Sequence, residues 1–177
     1  MGRGFVLGVV ITLIALVVGA YIYLEHGFAD IRADAGPGML DHYLMAAMDA
    51  SAERHAPDVK SPLPSTEANL LAGARLYVDK CADCHGSPVN RHSDMGKAFQ
   101  PNAPQFFGDD PPDMPANQNF YIVKHGVRMT AMPAWSYIMT DSEIWQVIHV
   151  LSQIDNLPPS VQQELRKPTA VPATPQL

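Results

Sequence analysis

The 177-residue chain has room for one compact domain with appendages, and its formal net charge of −6 argues against a nucleic-acid surface while leaving basic partners open. Sixteen prolines, clustered rather than spread, mark much of it as neither helix nor strand, and no repeat is visible. Two cysteines are too few for a cysteine-only zinc module, while seven histidines and nine methionines leave the choice of any metal ligand open.

Phe5–Leu24 is twenty residues without a charge, long enough to cross a hydrocarbon core about 30 Å thick as a helix. Arg3 and the amino terminus precede it; Glu25, Asp30 and Asp34 come after it, offset only by Arg32. The positive-inside bias then places the N-terminus in the cytoplasm and everything after Leu24 outside it. The competing reading is a cleaved signal peptide, with Val18-Gly19-Ala20 as a small-residue cleavage site. The apolar run continues through Tyr21-Ile22-Tyr23-Leu24, and its tyrosines suit an interfacial belt, which favours a retained anchor over residues 1–35. Both readings export the remainder of the chain.

Gly36-Pro37-Gly38 breaks the chain, and Met39–His55 then reads as an amphipathic helix with Leu40, Tyr43, Leu44, Ala47 and Met48 at helical spacing. The proline-bearing stretch 56–64 is an extended linker that completes a second segment, 36–64. A globular unit is expected over 65–160. Thr66 caps a helix from Glu67 to Lys80 carrying Leu70, Gly73, Ala74 and Tyr77.

That helix runs into Cys81-Ala82-Asp83-Cys84-His85, a C-x-x-C-H attachment site for a covalent c-type haem. Two cysteines three apart lie on one side of a helical turn, where their sulfurs can form thioethers with two vinyl groups of one porphyrin. His85 can then swing beneath the ring and offer an imidazole nitrogen to iron. A zinc site would want a second ligand pair. A dithiol oxidoreductase would want a strand before the motif and a helix after it, whereas here a helical segment precedes it and a loop comes after. Residues 86–116 are rich in Pro, Gly, Asn and Asp, a loop long enough to need a ligand to order it, such as a haem edge. Asn117 is positioned to cap a short helix (QNFYIVKH) closed by Gly126. Thr140-Asp141-Ser142-Glu143 is a capping box opening a helix with Ile144, Trp145, Ile148, Leu151 and Ile154 on one face, stopped by Pro158-Pro159. A disordered tail is expected over 161–177, most plainly beyond Pro168.

The helix with Gly73 and Tyr77, then CADCH, a proline-rich loop, Met132-Pro133-Ala134-Trp135 and a terminal helix with Ile144-Trp145 together resemble a class I monohaem cytochrome c of the membrane-anchored bacterial type. The resemblance covers about Thr66 to Leu157. It implies a small all-α fold in which N- and C-terminal helices cross around one haem, with Gly73 permitting close approach and Tyr77 packing near Trp145. It also implies His85 and Met132 as the iron ligands; Met129 and Met114 are the competing methionines, and a His/Met pair raises the reduction potential over two histidines. A proline carbonyl accepting the proximal imidazole's N–H is implied as well, with Pro104 the first choice and Pro101 the alternative. His92, His125 and His149 read as surface or loop histidines.

The function these features imply is a single-electron carrier rather than an enzyme, with one covalent haem c. It would be tethered as a single-pass protein to a bacterial inner membrane by Phe5–Leu24, its haem domain in the periplasm. Its partners would be redox proteins of the periplasm or inner membrane, and no nucleic acid. The alternatives are a cytochrome subunit of a larger dehydrogenase or oxidase, onto which Met39–His55 would dock, and a haem peroxidase or sensor.

Overall fold

The computed structural model describes residues 2–28 and 30–169, with residues 39 and 40 described by backbone alone. It is helical throughout, and no strand occurs among the described residues. Residues 1–35 and 36–177 form separate units. The first is α1, Arg3–Glu25, 23 residues long. At 1.5 Å per residue α1 spans about 35 Å, enough to cross a bilayer core. Its apolar side chains are exposed along the whole helix, as a lipid-facing helix requires.

The second unit begins with α2, Met39–His55, where the Asp41 carboxylate accepts from the Gly38 N–H at 2.6 Å. The expected amphipathic face does not form. Tyr43, Leu44 and Ala47 are exposed, Met48 is half-buried, and among the described side chains of the helix only Ala52 is buried. The reason lies in the composition: Met45, Ala46 and Ala50 fall outside the stripe and spread apolar surface around the helix. The Leu40 side chain lies outside the description. Contact with the rest of the unit comes through α6, Ala116–His125.

The segment 56–64 is fastened rather than loose. Asn117 donates from Nδ2 to the Pro57 carbonyl at 3.1 Å, and His149 Nε2 meets Ser61 Oγ at 2.8 Å and the Leu63 carbonyl at 3.2 Å. Asn117 therefore serves as a tether, not as the expected cap. Helix α6 starts two residues earlier, at Ala116 behind Pro115, whose extended backbone opens it without a side-chain cap.

The core is α3, Glu67–Lys80, packed against α7, Asp141–Leu151, and α8, Pro159–Leu165. Thr66 caps α3 by accepting from the Asn69 N–H, and the Thr140/Glu143 capping box opens α7. Leu70, Ala74 and Tyr77 of α3 are buried against Ile144, Trp145, Val147, Ile148, Val150 and Leu151 of α7. Gly73 sets the crossing distance: a Cβ there would stand 2.1 Å from the Gln146 carbonyl oxygen and 3.0 Å from Val150 Cγ2. Tyr77 and Trp145 share this core, but Tyr77's aromatic partner is Phe107, edge-on at 5.7 Å, and Trp145 stacks on Phe120 at 4.3 Å.

Two expectations at the C-terminus need correction. Helix α7 ends at Leu151, and Ile154 opens a separate 3₁₀ turn, Ile154–Asn156. Pro158-Pro159 does not end the ordered chain at 160. Pro159 takes the first position of α8, where its missing N–H is no loss. Val161 and Leu165, four apart on one face of α8, are fully buried. The rest of the expected tail, 170–177, lies outside the described residues.

Gly73→Ala is expected to lower domain stability by about 1–3 kcal/mol or more, because backbone rather than a flexible side chain occupies the space. In a domain this small that is a fall of roughly 10 °C in thermal midpoint, measurable by far-ultraviolet circular dichroism. An unchanged midpoint would mean that α3 and α7 are further apart in solution.

Candidate haem-binding site

The C-terminal end of α3 continues into a second short helix, α4, Ala82–His85, with Cys81 at the junction. Cys84 and His85 both donate their backbone N–H to the Cys81 carbonyl, at 3.1 and 2.9 Å, so the motif is wound as one turn. Both thiols are free and half-buried. Burial pushes the Cys81 thiol up to about 12, and it raises that of Cys84 as well. At neutral pH the pair therefore holds protons rather than charge.

His85 is held from outside the motif. Its Nδ1 lies 2.9 Å from the Pro104 carbonyl oxygen, which can only accept, so Nδ1 carries the proton and Nε2 keeps its lone pair. Burial lowers the imidazole's pKa, and the Pro104 bond offsets this only in part. The ring is thus neutral at physiological pH with one nitrogen ready to coordinate. Phe106 stacks on it, centroids 4.6 Å apart and planes 5° apart.

A helix end leaves carbonyl oxygens without intrahelical partners, and here each is answered by a distant group. Ser93 Oγ donates to the Asp83 carbonyl. Gln105 Nε2 donates to that of Cys84 at 2.9 Å, the Phe106 N–H to that of His85 at 3.1 Å, and the Tyr77 hydroxyl to that of Gly86 at 2.8 Å. Gln105 is the hub. At 6% exposure it also donates to the Ala103 carbonyl at 2.7 Å and accepts the Ser93 N–H through Oε1, again at 2.7 Å. Gly96, in the short helix α5, Asp94–Lys97, closes the loop onto the turn: a Cβ there would sit 2.0 Å from the Cys84 carbonyl oxygen. The long loop is thus ordered by its own hydrogen bonds to the motif, and not by a ligand alone.

Sequence reasoning missed Gln105, Ser93, Gly96 and Phe106. None lies in a periodic segment. The one available signal was that Gln105 and Phe106 directly follow Pro104.

Met132 belongs to a second structural group. Residues 127–135 fold back on Gly126, the residue that ends α6. The Val127 N–H donates to the Met132 carbonyl at 3.1 Å, and the Met132 N–H donates to Thr130 Oγ1 at 3.1 Å. A Cβ on Gly126, whose φ is +68°, would meet the Met132 carbonyl oxygen at 2.8 Å and the Ala134 nitrogen at 2.6 Å. Met132 is half-buried and Met129 is 86% exposed. Met114 is half-buried on a third loop, where its carbonyl accepts from Asn119 Nδ2 at 2.9 Å.

Three histidines outside the motif have other partners. His92 lies 3.8 Å from Asp109, His125 leans on Tyr121 at 4.7 Å, and His149 pins Ser61 and Leu63. Among the described residues there is no group of three or more His, Cys, Asp or Glu that could hold a metal ion. The residues present do fit a covalently attached haem: two unpaired thiols on one turn, and a neutral imidazole with its distal nitrogen free.

Residues 68–149 match the family model described as "Cytochrome C oxidase, cbb3-type, subunit III". No curated protein matches the chain.

Gln105→Ala would leave the Ser93 N–H and the Cys84 carbonyl without partners in a buried site, at a cost of about 1–3 kcal/mol for each group. The expected outcome is a large drop in the denaturant midpoint of the haem-loaded protein. A change below about 0.5 kcal/mol, the size of an ordinary surface substitution, would show that Gln105 is not the hub.

Proposed function

We propose, starting from the class I cytochrome c domain that residues 68–149 form, that this chain is a membrane-tethered single-electron carrier whose haem domain faces the periplasm. Cys81 and Cys84 would hold one haem c through thioethers, with His85 Nε2 and the Met132 sulfur as axial ligands. The bound haem supplies reversible one-electron exchange between Fe(III) and Fe(II). The observation that carries the reading is the His85–Pro104 hydrogen bond, which fixes the tautomer and aims the free nitrogen.

The chain's own residues do the remaining work. Phe106 covers one face of the His85 ring with an apolar surface. The hydrogen bonds from Ser93, Gln105 and Phe106 hold the turn rigid, so the domain need not rearrange when its charge changes by one. A half-buried Met132 on a proline-stiffened loop suits a closed sixth position, and a closed position favours a carrier over an enzyme. α1 supports a tether, with Arg3 on the cytoplasmic side and Glu25 beyond the membrane.

A second reading has its own support. The matched family description names an oxidase subunit, and α2 leaves Tyr43 and Leu44 uncovered. A stable subunit would co-purify with partners at constant stoichiometry after gentle detergent extraction, whereas a free carrier would run alone.

Three outcomes are expected. Oxidised wild-type protein should be low-spin, with the weak sulfur-to-iron band in the near infrared. Met132→Ala should abolish that band and lower the potential, while Met129→Ala and Met114→Ala should retain it. Gly126→Ala should weaken the band with the haem still covalently attached, because the added methyl displaces the backbone at Met132 and Ala134. A high-spin wild type that turns over peroxide rapidly would replace the carrier by an enzyme.

The tether is tested separately. Intact protein should keep its N-terminal residues and stay with membranes in carbonate. A mature N-terminus at Tyr21, with soluble protein released, would make α1 a signal sequence.

A further inference from the structure

The Pro104 carbonyl that accepts from His85 Nδ1 has a weakly anchored backbone of its own. Proline carries no N–H, so Pro104 cannot be held by donation, and it lies exposed. The peptide that joins it to Gln105 offers one N–H, which reaches the exposed Asp110 carboxylate at a long 3.4 Å. Firm backbone anchors stand only to either side. The Ala103 N–H donates to the Gly96 carbonyl at 3.0 Å, and the Phe106 N–H to that of His85 at 3.1 Å.

The Gln105 side chain supplies what the proline lacks. Its Nε2 donates to the Ala103 carbonyl at 2.7 Å and to the Cys84 carbonyl at 2.9 Å. Ala103 directly precedes Pro104, and Cys84 directly precedes His85. One planar amide thus joins the two backbones a single residue before each partner of the His85–Pro104 bond. Both carbonyls can only accept, and the Ser93 N–H that meets Oε1 can only donate, so the amide cannot be turned over. Packing holds it as well: a Cβ on Gly96 would stand 2.6 Å from Nε2.

We propose that Gln105 is a positioning residue for the proximal ligand, clamping the Ala103 carbonyl to that of Cys84 so that the Pro104 oxygen stays on His85 Nδ1. This rests on the reading of His85 and Met132 as the iron ligands, and it gives the buried glutamine a part in setting the reduction potential. A hydrogen bond accepted from one imidazole nitrogen makes the other a stronger donor to metal. A stronger donor favours Fe(III), so a firmly held Pro104 carbonyl keeps the potential down. Releasing the clamp lets that carbonyl drift, weakens the bond and raises the potential.

The test uses full-length, haem-loaded, nitrogen-15-labelled protein in detergent. In the reduced wild type, the Gln105 side-chain amide protons and the His85 Nδ1 proton should both be protected from deuterium exchange. Gln105→Met keeps the length of the side chain and adds no charge, but loses all three bonds. It should speed exchange at His85 Nδ1 by about tenfold or more and raise the midpoint potential. Ser93→Ala is the control for loosening in general. It removes the hydroxyl bonds to the Asp83 carbonyl and from the Gly96 N–H, yet keeps the backbone N–H that Gln105 accepts. It should lower the denaturant midpoint while leaving the His85 exchange rate and the potential at wild-type values. An unchanged exchange rate and potential in Gln105→Met overturn the proposal. So does a Ser93→Ala variant that moves both as far as Gln105→Met does. If Gln105→Met does not fold, the wild type decides: Gln105 amide protons that exchange freely beside a protected His85 Nδ1 proton overturn the clamp. A wild type that is high-spin, or that releases its haem into acidified acetone, would instead fail the ligation reading, so the two failures are distinguishable.

Discussion

Four consecutive carbonyl oxygens, those of Asp83, Cys84, His85 and Gly86, each accept a hydrogen bond from a group far along the chain or from Tyr77. The rest of the domain depends on this. A C-x-x-C-H turn must leave its two thiols and one imidazole nitrogen uncommitted, so the turn cannot be stabilised through those side chains. Its rigidity has to come from the backbone. The loop that supplies the donors is irregular because the carbonyls it serves fan outward around a helix end, and no helix or strand presents donors in that pattern.

The crossing of α3 and α7 gives that turn a fixed base. Gly73 lets the two helices approach until backbone meets backbone, and the buried Tyr77, one turn further on, carries the contact from the core to Gly86. Burial pushes the Tyr77 hydroxyl well above its ordinary pKa, so it remains a donor at any physiological pH. Helix α8 adds Val161 and Leu165 to the same core. The turn is thus anchored at its start by a packed helix crossing and at its end by hydrogen bonds from the loop.

What the sequence revealed and what it hid divide along physical lines. α1, α2, α3 and the start of α7 were legible because each rests on short-range signals: an uncharged run, a Gly-Pro-Gly break, a threonine cap and a capping box. Pro104 was reachable only through the family resemblance, since nothing local distinguishes it from Pro101. Gln105 was not legible, because a buried glutamine in a proline-rich loop looks like any exposed polar residue until its three partners are known. Helix α8 was hidden by its own first residues: Pro158-Pro159 reads as a stop, yet proline also suits the first turn of a helix. The amphipathic reading of α2 failed for a different reason. Helical spacing picked out one stripe, while Met45, Ala46 and Ala50 outside it spread apolar surface around the rest of the helix.

The two halves of the site are held by different physics. The cysteine–histidine turn is fixed by a satisfied polar network, in which each lost hydrogen bond strands a buried group and costs about 1–3 kcal/mol. The Met132 loop is held by four hydrogen bonds among Val127, Thr130 and Met132 and is otherwise positioned by steric fit against Gly126. A network of that kind resists displacement in every direction, whereas a steric seat resists mainly compression. The loop can therefore move outward more easily than the turn. Under the proposed ligation that asymmetry would suit the two sides of the site: the covalent side would have to stay fixed, while the methionine side would have to tolerate both oxidation states.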